Sequence, residues 1–170
     1  MSQPSGSRRR ARESAMQILC TMERQPELSV GQATLLYYSH LLGDDGESTT
    51  SGSGRATPAE QRLFVETLVS GVRRAQVDID TLIGRCSRNW RLTRMAVPDR
   101  NILRLAGFEL MSCPEVPVRA VLSEAIEIAR RYGSSDSASF VNGVLDRMAE
   151  ELGRGDEPMP TTASDTHVPT

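Results

Sequence analysis

The sequence predicts an all-α fold, a helical bundle of about seven helices. Apolar residues recur at i, i+3, i+4 and i+7 through almost the whole chain. Apart from Pro26, the prolines lie outside these periodic stretches or where a helix begins. No segment alternates in the way typical of a strand, and no repeat of about 20–50 residues is present. With 170 residues, the chain has room for one domain with one core.

Two helices and a linker are expected in the first third of the chain. Helix one should span about 7–24, and Pro26 should end it because proline cannot continue a helix. Helix two should start at a capping box in which Ser29 and Gln32 bond each other's backbone N–H. Residues 43–56 are rich in Gly and Ser and contain no large apolar side chain, so they predict a flexible linker.

The middle of the chain predicts three helices. Residues 57–60 combine a capping Thr, a Pro at the first helical position and a Glu three residues after the cap. Helix three should therefore begin there and end near Ala75. Helix four should end near Trp90 and be nearly continuous with helix three. Pro98 should open helix five and Pro114 should close it.

The last two helices are expected before a polar tail. Helix six should begin at Pro117 and stop at Gly133 in the C′ position. Asp136 should cap helix seven, which extends to Leu152. Residues 153–170 combine prolines and acids without periodicity and predict a disordered acidic tail. The expected organisation is therefore a flexible N-terminus at 1–6, a folded domain at 7–152 with its linker at 43–56, and the tail.

Composition excludes several classes of protein. The mean hydropathy is −0.35, and no apolar run approaches the ~20 residues of a membrane span, so no membrane association and a cytoplasmic location are expected. Cys20, Cys86 and Cys113 fit neither a disulfide framework nor a zinc site. Two histidines and the absence of phosphate-binding glycine motifs leave no metal, no cofactor and no catalytic residues to predict. A noncatalytic protein is expected.

The distribution of charge indicates a polyanion partner. All 20 basic residues are arginine, and the net charge of −2 hides their segregation along the chain. Four of them, which we call the arginine cluster, lie within five residues: Arg8, Arg9, Arg10 and Arg12. Residues 81–108 contain six more against Asp99 alone. A helical or frayed arginine segment can grip the phosphates of single-stranded RNA and stack on its bases. The alternative is a solvated, fraying terminus.

Two aromatic side chains have competing interpretations. Phe140 lies one turn into the predicted last helix, where its ring could stack on a base if exposed or pack into the core if buried. Trp90 is expected to fill the joint between helices four and five rather than to meet RNA.

Three segments then identify a family. They are an arginine-rich start running into an amphipathic helix at 8–19, the run at 89–110, and a C-terminal stretch at 116–146. The last contains Tyr-Gly, Asp-Ser and the string Phe-Val-Asn-Gly-Val-Leu-Asp, which is the most specific part. In order and spacing, these segments resemble the NusB family of transcription antitermination factors. The resemblance covers about residues 7–152 without the linker.

This resemblance implies a single compact all-α domain made of two small helical bundles. It implies binding of the boxA element of ribosomal RNA leaders together with NusE, a small-subunit ribosomal protein. The assembly would join the transcription elongation complex, so that RNA polymerase resists termination on ribosomal RNA operons. Carried onto this chain, the expected RNA contacts are Arg8, Arg9, Arg10, Arg12, Asp136, Ser137 and Phe140. Asp99 occupies a position that would face the protein partner.

Two departures from the family pattern keep alternatives open. Cys20 stands where the first helix commonly has Tyr, and Ser139 stands where Lys or Arg usually precedes the Phe. Each loss removes a favourable RNA contact, so a protein-interaction scaffold with weak or no RNA binding, including a self-associating homodimer, is the alternative. A related module fused to an RNA methyltransferase would require a further domain of roughly 200 residues.

Overall fold

The computed structural model describes residues 5–44 and 58–155, and within these ranges it contains six α-helices, one 3₁₀ turn and no strand. The predicted all-α fold is confirmed. No helix in the described part of the chain is long and apolar enough to cross a membrane. The helices are α1 (Ser5–Arg24), α2 (Val30–Asp44), α3 (Pro58–Cys86), α4 (Val97–Ser112), α5 (Val118–Tyr132) and α6 (Ser137–Glu151), with the 3₁₀ turn at Leu92–Arg94.

Helix α3 accounts for the difference between about seven predicted helices and six. It runs unbroken for 29 residues, so the third and fourth predicted helices are one. The sequence from Ala75 to Ile79 contains neither Pro nor Gly, and nothing there interrupts the backbone hydrogen bonds. Val72 and Ile79 are both fully buried on the same face, which carries the core stripe across the expected break.

Local capping chemistry sets the start of α2, as predicted. The backbone N–H of Ser29 donates to the Gln32 side chain at 2.9 Å, and the Gln32 N–H donates to the Ser29 hydroxyl at 3.2 Å. This reciprocal pair satisfies two backbone donors that have no partner inside the helix.

Helix α4 lies at the centre of the fold. It contacts α1, α3, α5 and α6, and every residue from Asp99 to Gly107 is buried. The approach to α3 is close at Gly71, where an added Cβ would lie 2.2 Å from Cζ of Phe108. Because α4 is buried on all sides, its charged side chains require partners on neighbouring helices.

Two groups of buried ion pairs join α1 to α4. Near the start of α1, Arg12 is 4% exposed and grips Glu109 with two guanidinium nitrogens at 2.6 and 2.9 Å. Three turns later, Glu23 accepts hydrogen bonds from three α4 side chains. These are Arg100, Asn101 and Arg104.

In the second group, the α4 side chains favour the ionised form of Glu23. Partial burial of the carboxylate opposes ionisation, but the hydrogen bonds from Arg100 and Asn101 outweigh it and lower the pKa of Glu23. Arg104 also bonds Asp80 of α3 at 2.7 and 2.9 Å. The group therefore ties together three helices, and its charges compensate each other.

Most of the predicted flexible segments lie outside the described residues, namely 1–4, 45–57 and 156–170. The first residues of the predicted tail are described, and Arg154 donates hydrogen bonds to the carbonyl oxygens of Leu110 at 2.8 Å and Val116 at 2.9 Å. These two carbonyls flank the connection between α4 and α5. The chain therefore still contacts the domain at Arg154, two residues beyond Leu152.

Candidate nucleic-acid interface

The arginine cluster is divided between solvent and the fold, because successive helical residues project about 100° apart. Arg8 and Arg10 are exposed, and the Arg8 guanidinium lies 5.9 Å from the centre of the Phe64 ring. Arg9 forms a two-pronged pair with Glu124 of α5 at 2.7 and 3.0 Å, and 39% of its side chain stays exposed. Arg12 is buried in the fold, where its guanidinium is not available to a phosphate. Contact of all four arginines with RNA stays a prediction.

Three side-chain contacts bridge α1 and α5: Arg9 with Glu124, Glu13 with Arg131 at 3.1 Å, and Gln17 with the Tyr132 hydroxyl at 2.9 Å. Arg9 and Gln17 are about 12 Å apart along the helix axis. The last turn of α5 adds two exposed arginines, Arg130 and Arg131. Our sequence analysis did not identify this pair, although its position directly before Tyr132 was visible.

The corner between α5 and α6 is built on serine hydroxyls. The backbone N–H of Ser134 donates to Oγ of Ser137 at 2.9 Å, and that hydroxyl donates to Oδ2 of Asp99 at 2.9 Å. Ser137 is buried, so it positions Asp99 in the unbound chain rather than facing solvent.

The predicted side-chain cap by Asp136 is wrong. Asp136 occupies the N-cap position, but its side chain makes no capping hydrogen bond. Its backbone is helical, with φ −95° and ψ −10°, instead of the extended conformation that turns a capping side chain back onto the first N–H groups. Its exposed carboxylate contributes instead to a cavity described below.

Gly133 ends α5 as predicted, although for a different reason. Its φ of −97° is not left-handed, so glycine is not required there by backbone conformation. An added Cβ would lie 2.4 Å from Cβ of Ser137 and 2.8 Å from the carbonyl oxygen of Ala129. The close approach of Ser137 therefore requires glycine at this corner.

Gly133→Ala is expected to destabilise the fold by about 1–3 kcal/mol, because the methyl group must displace Ser137 or backbone. Gly84→Ala is the control, since a Cβ at this exposed helical position meets nothing within 4 Å. The control should instead gain up to about 1 kcal/mol. Thermal melting of both variants is the measurement, and equal midpoints would contradict the role assigned to Gly133.

Trp90 does not fill a joint between helices, so that prediction is wrong. Trp90 is 55% exposed, and it lies in a turn after α3 in which the Ser87 hydroxyl donates a hydrogen bond to the Trp90 carbonyl at 3.0 Å. The Trp90 ring meets Phe140 edge-on, with ring centres 6.2 Å apart. Phe140 is half-buried and packs against the core, leaving part of its ring accessible.

Two cavities share this aromatic pair. The larger, of about 370 Å³, is called the aromatic cavity here, and the other, of about 260 Å³, includes Arg88 and Arg147. Trp90 and Phe140 line both cavities. The other residues of the aromatic cavity that matter for its chemistry are Arg94, Asp99, Asp136 and Ser137.

Asp99 is 8% exposed, and its two oxygens differ. Oδ2 accepts the hydrogen bond from Ser137, whereas Oδ1 is buried without a hydrogen-bond partner. The first turn of α4 holds this residue, where the helix dipole favours a negative charge. The predicted protein-partner residue is thus almost fully buried in the wall of the aromatic cavity, and its contact with a partner stays a prediction.

The described residues contain no group of three or more His, Cys, Asp or Glu side chains that could hold a metal ion. The thiols of Cys20, Cys86 and Cys113 are free. Burial and a hydrogen bond with Glu151 raise the pKa of Cys86 to about 11, so this thiol is protonated near neutrality. Cys20 lies against α4, where Asn101 Nδ2 is 3.6 Å from its sulfur. Its departure from the family pattern therefore falls at a contact between two helices.

Comparison with known proteins assigns the family. The model of the NusB family matches residues 9–150. A transcription antitermination protein NusB from Sorangium cellulosum is 42% identical over 151 residues, which is 89% of this chain and 97% of the relative. The corresponding protein of Syntrophus aciditrophicus is 37% identical over 145 residues, which is 85% of this chain and 81% of that relative.

A solved structure agrees with this assignment. T. maritima NusB superposes with a TM-score of 0.67 at 31% identity, covering 89% of this chain and 94% of that one. The family match, the identity over most of both chains and the shared fold lead to one conclusion: the chain belongs to the NusB family of transcription antitermination proteins.

Proposed function

We propose that this protein is a noncatalytic adaptor that binds the boxA element of ribosomal RNA leader transcripts. It would act in the cytoplasm with ribosomal protein NusE and the transcription elongation complex, and promote processive transcription of ribosomal RNA operons. The observation that carries this proposal is the set of exposed groups formed by Arg8 and Arg10 of α1, Arg130 and Arg131 of α5, and the ring of Trp90.

The chemistry of this surface suits single-stranded RNA. Guanidinium groups bond phosphates in pairs and stack on bases, and aromatic rings offer platforms to bases that are not paired. Arg130 and Arg131 add two exposed guanidinium groups in the last turn of α5, where they pair with Glu127 and Glu13. Phosphate contacts would position the strand, and the Trp90 ring would contact bases.

The protein partner forms the second part of the proposal. We place NusE beside the RNA at the start of α4, which follows from the expected role of Asp99. Asp99 as a direct contact of that partner stays a prediction, because only 8% of this residue is exposed.

A protein-binding or self-associating role is the second candidate. It is favoured by two large apolar side chains that the fold leaves in water, Leu35 of α2 at 60% and Leu63 of α3 at 63% exposure. Sedimentation of the chain alone and with NusE distinguishes a homodimer from a heterodimer.

The arginine cluster should supply a salt-dependent part of RNA affinity through its exposed members. Arg8→Ala combined with Arg10→Ala is expected to reduce the slope of log affinity against log salt by about 1.4, since each phosphate contact on a single strand contributes about 0.7. Fluorescence anisotropy of a labelled boxA-like RNA, titrated over a range of salt with and without NusE, is the measurement.

The control for this measurement removes two other exposed arginines. Arg73→Ala combined with Arg74→Ala deletes the same charge from α3, away from the cluster in sequence. The control should lower affinity slightly and leave the slope close to wild type. An unchanged slope for the Arg8 and Arg10 variant would remove the cluster from the interface, and absence of boxA binding with and without NusE would refute the function.

A further inference from the structure

A separate cavity, of about 300 Å³, is formed by residues of α1, α3, α4 and the 3₁₀ turn. It is called the guanidinium cavity here, because three arginines line it: Arg73, Arg100 and Arg104. Among the described residues that line it, Glu23 is the one acidic side chain. Positive charge exceeds negative charge in this wall even when Asp80, which pairs with Arg104, is counted. The cavity therefore favours an anion.

The two arginines of α4 are fixed in place by the fold. Arg100 gives four of its five N–H groups to the Glu23 carboxylate and to two carbonyl oxygens of the turn before α4. Arg104 gives four to Asp80, Glu23 and Asn101. In the described part of the chain, one N–H of each guanidinium therefore has no acceptor. About a tenth of each side chain is exposed, so these groups are accessible from the cavity.

The rim of the cavity adds donors that are open to solvent. Arg73 is exposed, and its Nη1 donates to Oε1 of Gln76 at 2.9 Å. This bond engages the amide oxygen and leaves the N–H₂ group of Gln76 to donate to a ligand. Thr93 of the 3₁₀ turn is also exposed and brings a hydroxyl. Donors thus come from three separate elements, namely α3, α4 and the turn.

These donors select the chemical class of the ligand. Guanidinium groups form their strongest hydrogen bonds with carboxylates and phosphates, and a phosphate group accepts bonds through several oxygen atoms at once. The volume of about 300 Å³ is at the lower end of the range for small-molecule sites, so the ligand is small. A cationic ligand would meet three guanidinium groups and is disfavoured.

We propose that the guanidinium cavity binds the phosphate or diphosphate group of a small molecule. Arg73, Gln76 and Thr93 hold it at the rim, and the remaining N–H groups of Arg100 and Arg104 hold it from below. The site is separate from the proposed RNA surface, because no member of the arginine cluster lines it. Since three helices form the cavity, a bound ligand should also stabilise the folded chain.

The test uses inorganic phosphate and inorganic diphosphate as probes. Each is titrated into the full chain by isothermal calorimetry, with the ionic strength held constant by sodium chloride. Saturable binding is expected, and diphosphate should bind more tightly because it carries more charge. Both anions should raise the melting midpoint more than chloride does at the same ionic strength, since a ligand of the folded state shifts unfolding by mass action.

Variants of the rim separate this site from general attraction of anions. Arg73→Ala should weaken diphosphate binding about tenfold or more, because a charge-assisted hydrogen bond is lost. Arg74→Ala is the matched control, since it removes the neighbouring exposed arginine, which does not line the cavity. Thr93→Val keeps the shape and removes the hydroxyl, and should weaken binding about 2- to 10-fold. Circular dichroism checks that each variant is folded.

The arginine cluster is the competing location for the anion. Arg8→Ala combined with Arg10→Ala should leave diphosphate affinity within about twofold of wild type, because neither side chain lines the cavity. The same variants are then measured with boxA-like RNA. Arg73→Ala alone should leave RNA affinity nearly unchanged, which distinguishes a free phosphate compound from the phosphates of a strand.

The outcomes decide the proposal without reference to the proposed function. A loss confined to Arg73→Ala and Thr93→Val supports it. A loss confined to the variant that lacks Arg8 and Arg10 assigns the anion to the RNA surface and overturns it. Equal losses in Arg73→Ala and Arg74→Ala indicate general attraction of anions and also overturn it. RNA affinity that falls with Arg73→Ala as far as diphosphate affinity assigns the cavity to the strand, and absence of saturable binding by wild type refutes the site.

Discussion

Arg12→Leu is expected to destabilise the fold by about 3–5 kcal/mol, the largest effect anticipated for a single side chain of the arginine cluster. The substitution leaves Glu109 as a buried charge without its partner, since both side chains are at most 5% exposed. The free energy of unfolding, from urea denaturation followed by circular dichroism, is the measurement. RNA affinity of the folded fraction should change little, because Arg12 does not reach the surface.

Two further variants test this interpretation of Arg12. Arg10→Leu removes an exposed arginine from the same helix and should change stability by no more than about 0.5 kcal/mol. The double variant, Arg12→Leu with Glu109→Leu, replaces the pair by apolar side chains and should recover most of the loss. A stable Arg12→Leu protein that has lost RNA binding would show that Arg12 leaves Glu109 to contact the nucleic acid.

Glu23→Ala is expected to cost about 3 kcal/mol, because Arg100 and Arg104, each about 10% exposed, lose a shared carboxylate. The variant should still fold, because each arginine keeps other partners. Arg100 keeps its hydrogen bonds to the carbonyl oxygens of Leu92 and Met95, and Arg104 keeps its ion pair with Asp80. Glu27→Ala, at an exposed position of the following loop, is the control and should be nearly neutral.

Glu23→Ala should also change how the free energy of unfolding depends on pH. The pKa of Glu23 is lower in the folded chain than in the unfolded chain, where a glutamate titrates at about 4.3. Its contribution is therefore present above that value and is lost as pH falls through the folded-state pKa. Urea titrations at several acidic pH values should give a shallower loss of stability for Glu23→Ala than for wild type. Parallel profiles would contradict the lowered pKa.

The elements that the sequence predicted well are those fixed by neighbouring residues. The apolar period fixes each helical face, and the Ser29 and Gln32 pair lies within one turn, so both were predictable. The burial of Arg12 was not predictable in this way, because its partner, Glu109, lies 97 residues away in the sequence. A cluster of four arginines within five residues has the same appearance in a sequence whether or not one of them meets a distant carboxylate.

The candidate site shows the same limit. The motif around Phe140 indicated a candidate surface at the start of α6, but the exposure of Trp90 depends on how a turn after α3 meets α6. Asp136 had the residue type and position of a cap, and its backbone conformation decided otherwise. Propensity describes a residue in an average context, whereas a corner between two packed helices imposes its own geometry.

The clamp between Arg9 and Glu124 also affects the thermodynamics of association. Because α1 is helical from Ser5 and anchored to α5 at Arg9, the exposed guanidinium groups of the arginine cluster would meet the proposed RNA strand on a backbone that is already ordered. Little conformational entropy then remains to be lost on binding, and little new apolar surface is buried by the protein. Calorimetry should accordingly give a small heat-capacity change, unlike the large negative value of a segment that folds on its target. Association should be fast and limited mainly by ionic strength.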